Sequence, residues 1–151
     1  MTLLDAIQRT FHERARKKKV ALAQTWPQAN AQIDIWKILP AGDAGVTLFK
    51  DTNGWPEDND KALHHEGFPI DAATKTSTAT FDKLVPGTYA VAMIHDENLN
   101  HKMDYNMFHY PKEGFGFANN PHVLLTSPSF QTASFPVTCP VTEINITVQY
   151  K

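Results

Sequence analysis

From residue 31 onward the chain alternates with a period of two, in short runs separated by turn-forming residues. The clearest run is TYAVAMIH, residues 88–95, in which Tyr89, Val91 and Met93 fall on one face and Ala90, Ala92 and Ile94 on the other. Alternation of this period is the mark of an extended strand. Both faces are apolar, which predicts a central strand rather than an edge. The same rhythm recurs in AQIDIWKIL (31–39), GVTLFK (45–50), TSTATFDKL (76–84), ASFPVT (133–138) and TEINITVQY (142–150). Ile33, Ile35 and Lys37 share one side of the first of these, and Ile144, Ile146 and Val148 one side of the last. In the VPG turn, residues 85–87, Pro86 and Gly87 suit the central positions of a type II turn. DTNGWPEDNDKALHHEGFP, residues 51–69, is too rich in Gly, Pro, Asn and Asp to predict regular structure. About six or seven short strands with no helical pattern between them predict an antiparallel sandwich.

A chain of 151 residues is long enough for one domain with a core and short for two. Its apolar runs extend only a few residues, far from the length a membrane-spanning helix needs. The net charge of −2 is uneven: residues 1–19 carry +4, so the rest carries −6. An acidic body excludes general nucleic-acid binding, which needs a basic face. Cys139 is the single cysteine, so no intrachain disulfide forms.

The chain divides into a basic arm, residues 1–25, and a β domain, residues 26–151. Residues 2–19 predict a short amphipathic helix, with Leu3, Leu4, Ile7 and Phe11 on one side and Arg14, Arg16, Lys17, Lys18 and Lys19 near its end. Such a helix suits contact with a membrane surface. Ala21-Leu22-Ala23 after the lysines resembles an export cleavage pattern, but the apolar core a secretory signal needs does not precede it.

The segment IHDENLNHKMDYN, residues 94–106, carries the sharpest chemical pattern. Counting from Asp96 as the first position, oxygen side chains recur at Asn98, Asn100 and Asp104, and Lys102 offers a backbone carbonyl between them. Calcium takes six to eight hard oxygen ligands, and a curling loop turns every second residue toward its centre. Met107 stands where an EF-hand has its bidentate carboxylate, and Glu113 is the nearest later acid to complete the shell. With two or three carboxylates, affinity is expected at about 10⁻⁴–10⁻³ M. The competing reading is an Asx-rich turn that caps its own backbone.

The surroundings of that loop, LVPGTYAVAMIHDENLNHKMDYNMFHYPKEGFGFANN (84–120), together with the later PSFQTASFPVT, resemble the bacterial family DUF2141. The resemblance spans roughly residues 31–150 and covers His95, Asp96, Glu97, Asn98, Asn100, Lys102, Asp104, Glu113, Gly114 and Gly116. Two loop glycines of the family pattern are Leu99 and His101 here. The resemblance implies a transthyretin-like or carboxypeptidase-regulatory-like fold, hence an antiparallel Greek-key β-sandwich. It also implies export to the periplasm or cell envelope, and no known activity.

Other chemistries compete with calcium. His95, His101 and His109 flank the loop and suit a transition metal or a small hydrolase, although no zinc-type spacing joins them. Phe115 and Phe117 lie on one side of YPKEGFGF, between glycines that permit close backbone approach, and with His95 form a candidate surface for a protein, peptide or glycan ligand. They equally suit a lid on the open end of a sandwich. Glu57, Asp58 and Asp60 fall in an acidic stretch whose default is a solvated surface. No nucleophile–base motif is present. The expectation is a non-enzymatic binding or structural module with its site at residues 96–104.

Overall fold

The computed structural model describes residues 27–151, and the expected N-terminal helix over residues 2–19 lies outside them. The described residues are all-β. The strands are β1 (Ala29–Trp36), β2 (Asp43–Phe49), β3 (His64–Phe68), β4 (Ile70–Asp71), β5 (Thr76–Leu84), β6 (Gly87–Asp96), β7 (Phe115–Phe117), β8 (Ser134–Val137) and β9 (Val141–Thr147). They form two sheets. One runs β4-β5-β1-β9; the other runs β3-β2-β6-β7, with β8 also paired to β6.

Alternation places the core between the sheets. Ile33 and Ile35 of β1, Val46 and Leu48 of β2, Tyr89, Val91 and Met93 of β6, and Ile146 of β9 are buried in one cluster. Each such side chain contributes about 1.5–3 kcal/mol by leaving water. β6 is central as its two apolar faces require, with β2 along one side and β7 and β8 along the other. Its second face, Ala90 and Ala92, joins Phe115, Phe117 and Ala133 in a smaller cluster on the outer side of the second sheet. Trp55, Met103, Val123 and Phe130 pack over that cluster from the loops.

Three expectations are corrected. The sandwich is not wholly antiparallel, because β9 pairs with β1 in parallel, from Asn30 opposite Val141 to Trp36 opposite Thr147. The 51–69 segment ends in a strand, β3, which pairs with β2 although only Phe68 of its five residues is buried. Gly87 begins β6 without a positive φ; the left-handed residue before this strand is Lys83, at φ 56°. The VPG sequence therefore does not make the type II turn its composition suits.

The two sheets are tied at one end. Beyond β9, Gln149 exchanges hydrogen bonds of 2.7 and 2.9 Å with Phe115 of β7. Here the close approach expected of the glycines is real. A Cβ on Gly114 would stand 2.5 Å from the Tyr150 ring, and one on Gly116 would stand 2.4 Å from Ile146.

Candidate functional site

β6 runs straight into the loop singled out by its spacing. Asp96, 1% exposed, turns its carboxylate inward under the loop. Its Oδ1 accepts the Asn100 N–H at 3.1 Å and its Oδ2 the His101 N–H at 2.9 Å. That folds the chain back on itself, and Leu99 (φ 58°) and His101 (φ 64°) take the left-handed conformation the path demands. These are the two positions where the family pattern has glycine, which adopts that conformation freely. The loop therefore holds two side-chain-bearing residues in a conformation that resists them.

Asn98, Asn100 and Asp104 converge. Nδ2 of Asn98 donates to Asp104 Oδ2 at 2.8 Å, and Nδ2 of Asn100 donates to Asp104 Oδ1 at 2.8 Å. These donors hold the Asp104 carboxyl below its ordinary pKa, Asn98 first and Asn100 second. Lys102 sits at the exposed tip, its N–H on Asn100 Oδ1 at 3.2 Å. Glu113, 5% exposed, closes the base of the loop. It accepts the Glu97 N–H at 2.7 Å and the Asp104 N–H at 3.3 Å, while burial pushes its pKa up.

As a cation site this set fits in part. Asn98 and Asp104 face a common point, where amide hydrogens supply the positive charge. Asn100 must give up the Lys102 N–H to present its oxygen, and Asp96 and Glu113 are turned to backbone N–H groups.

The three histidines near the loop do not come together. His95 is fully buried on the core side of the loop. Its Nε2–H donates to the Ala41 carbonyl at 2.7 Å, so Nδ1 takes the Tyr150 hydroxyl hydrogen at 3.0 Å. The Tyr150 oxygen in turn accepts the Leu39 N–H at 2.9 Å. His95 is thus a structural knot, not a ligand-facing residue. The 41–42 turn presses against it from behind: Gly42 has φ +62°, and a Cβ there would lie 1.9 Å from the Asp96 carbonyl oxygen. His101 is exposed with Nδ1 3.8 Å from Asp96 Oδ2, and His109 stacks on Tyr105 with ring centroids 4.4 Å apart.

Phe115 and Phe117 are buried on the outer face of the second sheet, not over the open end of the sandwich where the lid reading expects them. They also line something the spacing did not disclose. A cavity of about 590 Å³ opens on that face, walled by the loops around residues 56–59, 103–111 and 123–127. Its floor comes from outward-facing residues of β2 and β6, Gly45, Thr47, Ala92 and Ile94. Small side chains at Gly45 and Ala92 leave the volume above the sheet unfilled.

The sequence pattern assigns Glu57 to solvated surface and gives no signal for Thr47, Asn59 or Tyr105. Tyr105 donates its hydroxyl to Glu57 Oε1. Burial first, and Glu57 second, push that phenol up to about 12. Thr47 Oγ1 lies 2.8 Å from His65 Nδ1, joining β2 to β3 across the floor. Burial, and then the charge of His101, lower the His65 pKa. Asn59 Nδ2 donates to the His101 carbonyl at 2.9 Å, which fastens this wall to the 96–104 loop. The signal available was the pair of small residues at outward positions of two central strands.

The fold is thus an all-β sandwich of two sheets whose loops gather over one outer face. The family model described as "Uncharacterized protein conserved in bacteria (DUF2141)" matches residues 39–145, and the chain belongs to that family. No curated protein and no solved structure matches the chain.

Proposed function

We propose that this protein is a non-enzymatic binding module whose ligand occupies the cavity on the outer face of the second sheet. One observation carries this reading. Gly45 and Ala92 leave about 590 Å³ open beneath three loops, inside the range of about 300–1,000 Å³ usual for small-molecule sites. Phe115 and Phe117 cover the outer face of the sheet and form part of the apolar wall of the site. The Thr47–His65 pair reads as a strap between strands, since Thr47 is buried in the middle of β2. The test is titration with the neutral dye N-phenylnaphthylamine, followed by its fluorescence. Ala92→Phe fills the floor and is expected to abolish dye binding with the circular dichroism unchanged. Dye binding that ignores this substitution places the site elsewhere.

A second reading concerns the 96–104 loop, favoured by the left-handed conformations at Leu99 and His101 and the convergence of Asn98, Asn100 and Asp104. We infer that calcium at about 10⁻⁴–10⁻³ M draws the Asn oxygens inward in place of their amide hydrogens. Binding to the native state alone raises the melting point by mass action. Millimolar Ca²⁺ is therefore expected to raise Tm over EDTA, Mg²⁺ and Zn²⁺, and Asp104→Ala to remove the difference. An affinity of this order suits the bacterial cell envelope, and a transthyretin-like topology suits the two-sheet sandwich. Fractionation of a tagged full-length chain tests the first of these, and a solved structure the second.

A further inference from the structure

We infer that the cavity takes an organic cation, an amine or quaternary ammonium carried on an aromatic body. This rests on the cavity being the ligand site and adds the charge and shape of its occupant. Among the described residues that line it, Glu57 is the one carboxylate. Its Oε1 accepts the Tyr105 hydroxyl, which leaves the second oxygen for a donor from a ligand. The Tyr105 phenol is held in its protonated form far above neutral pH, so the negative charge of the pair stays on Glu57.

Aromatic rings line the same cavity. Tyr105 and His109 stack within 8° of parallel, and Phe108, Tyr110 and Phe115 line the same space. Aromatic faces attract a cation through their quadrupole, and more so where water is excluded. Phe108, 74% exposed, stands at the mouth with little among the described residues to cover it. An aromatic group on the ligand supplies the missing partner.

The lining also holds Lys151, His65 and His109. Lys151 turns its ammonium to the Val123 carbonyl, and burial disfavours the charged form of His65. Residues 20–151 together carry −6, a field that draws cations toward the body of the protein.

The test uses three compounds of one shape, phenethylamine, phenylethanol and phenylacetate, each competing with N-phenylnaphthylamine for the full chain at pH 7. The amine is expected to displace the dye at concentrations about tenfold lower than the alcohol, and the acid to be the weakest. Glu57→Gln is expected to bring amine and alcohol together, each scored against the dye affinity of the variant itself, with circular dichroism to check that substitution of this exposed residue leaves the fold intact. Tyr105→Phe keeps the ring and frees the carboxylate, so the preference for the amine is expected to persist. If the dye binds and charge makes no difference, or the acid competes best, the cation inference is overturned while the cavity reading stands. If the dye does not bind at all, both fall together.

Discussion

Asp43 stands at the start of β2, paired in register with Asp96. Its Oδ1 is buried and has no hydrogen-bond partner among the described residues. Burial, and after it the charge of Asp96, raise its pKa above the ordinary value. A carboxyl whose pKa is higher in the folded chain favours the fold when protonated and opposes it when ionised. The penalty is absent below the unfolded value of 3.8 and grows as pH rises through the folded one. Asp43→Asn is therefore expected to raise Tm at pH 7 by about 2–4 °C, the shift that about 1 kcal/mol produces in a chain of this size. The gain should shrink to nothing in melts carried below the unfolded value. Tyr150 gives the opposite case. Its hydroxyl serves both His95 Nδ1 and the Leu39 N–H, so Tyr150→Phe leaves a buried acceptor and a backbone donor unmet. The expected cost is about 1–2 kcal/mol in urea unfolding. Neither residue stood out in the sequence. Asp43 matters because β6 brings Asp96 beside it, and Tyr150 because the C-terminal segment reaches back to the end of β6.

Among the elements, those with a local period were legible and those without one were not. TYAVAMIH and TSTATFDKL announce their faces residue by residue, and β6 and β5 follow. HHEGF has one buried residue in five and no alternation, so β3 exists only because β2 offers it an edge. The 96–104 loop is a middle case. Its Asp and Asn spacing was readable, and the turn they cap is there. What spacing left open was the direction of each side chain, and those of Asp96 and Glu113 point to backbone N–H groups. The loop also holds Leu99 and His101 in a conformation that costs an L-residue roughly 1–2 kcal/mol each. Leu99 is exposed, so Leu99→Gly sacrifices little burial. Allowing for the greater freedom of glycine in the unfolded chain, it is expected to stabilise by about 0.5–1 kcal/mol. His101→Gly should do about the same, and the double variant should bind calcium more tightly if the loop is a calcium site. Urea unfolding with and without Ca²⁺ measures both effects. A loss of stability in Leu99→Gly would show that the left-handed turn is not under strain.

At the scale of the whole molecule, pairing between distant segments was beyond any local pattern. Nothing in TEINITVQY tells it to lie parallel to β1, and nothing in Glu57, His65 and Tyr105 shows that they share a cavity. The two sheets are tied by the C-terminal segment. β9 covers one side of β1. Past its end, Val148 donates to the Trp36 carbonyl and is buried in the core. Gln149 pairs with Phe115 of the other sheet, Tyr150 bonds His95, and Lys151 reaches the Val123 carbonyl in the cavity wall. Four consecutive residues thus fasten the first sheet, the second sheet, the loop and the cavity to one another. Removing residues 148–151 forfeits the burial of Val148, worth about 1.5–3 kcal/mol, and several hydrogen bonds worth about 1 kcal/mol each. The expected loss is about 4 kcal/mol or more, a fall of at least roughly 8 °C in Tm. Since Phe115 lines the cavity and pairs with Gln149, the truncated chain should also lose N-phenylnaphthylamine binding at temperatures where it is still folded. A truncation that melts earlier yet binds the dye with unchanged affinity would mean that the cavity is held by the second sheet alone.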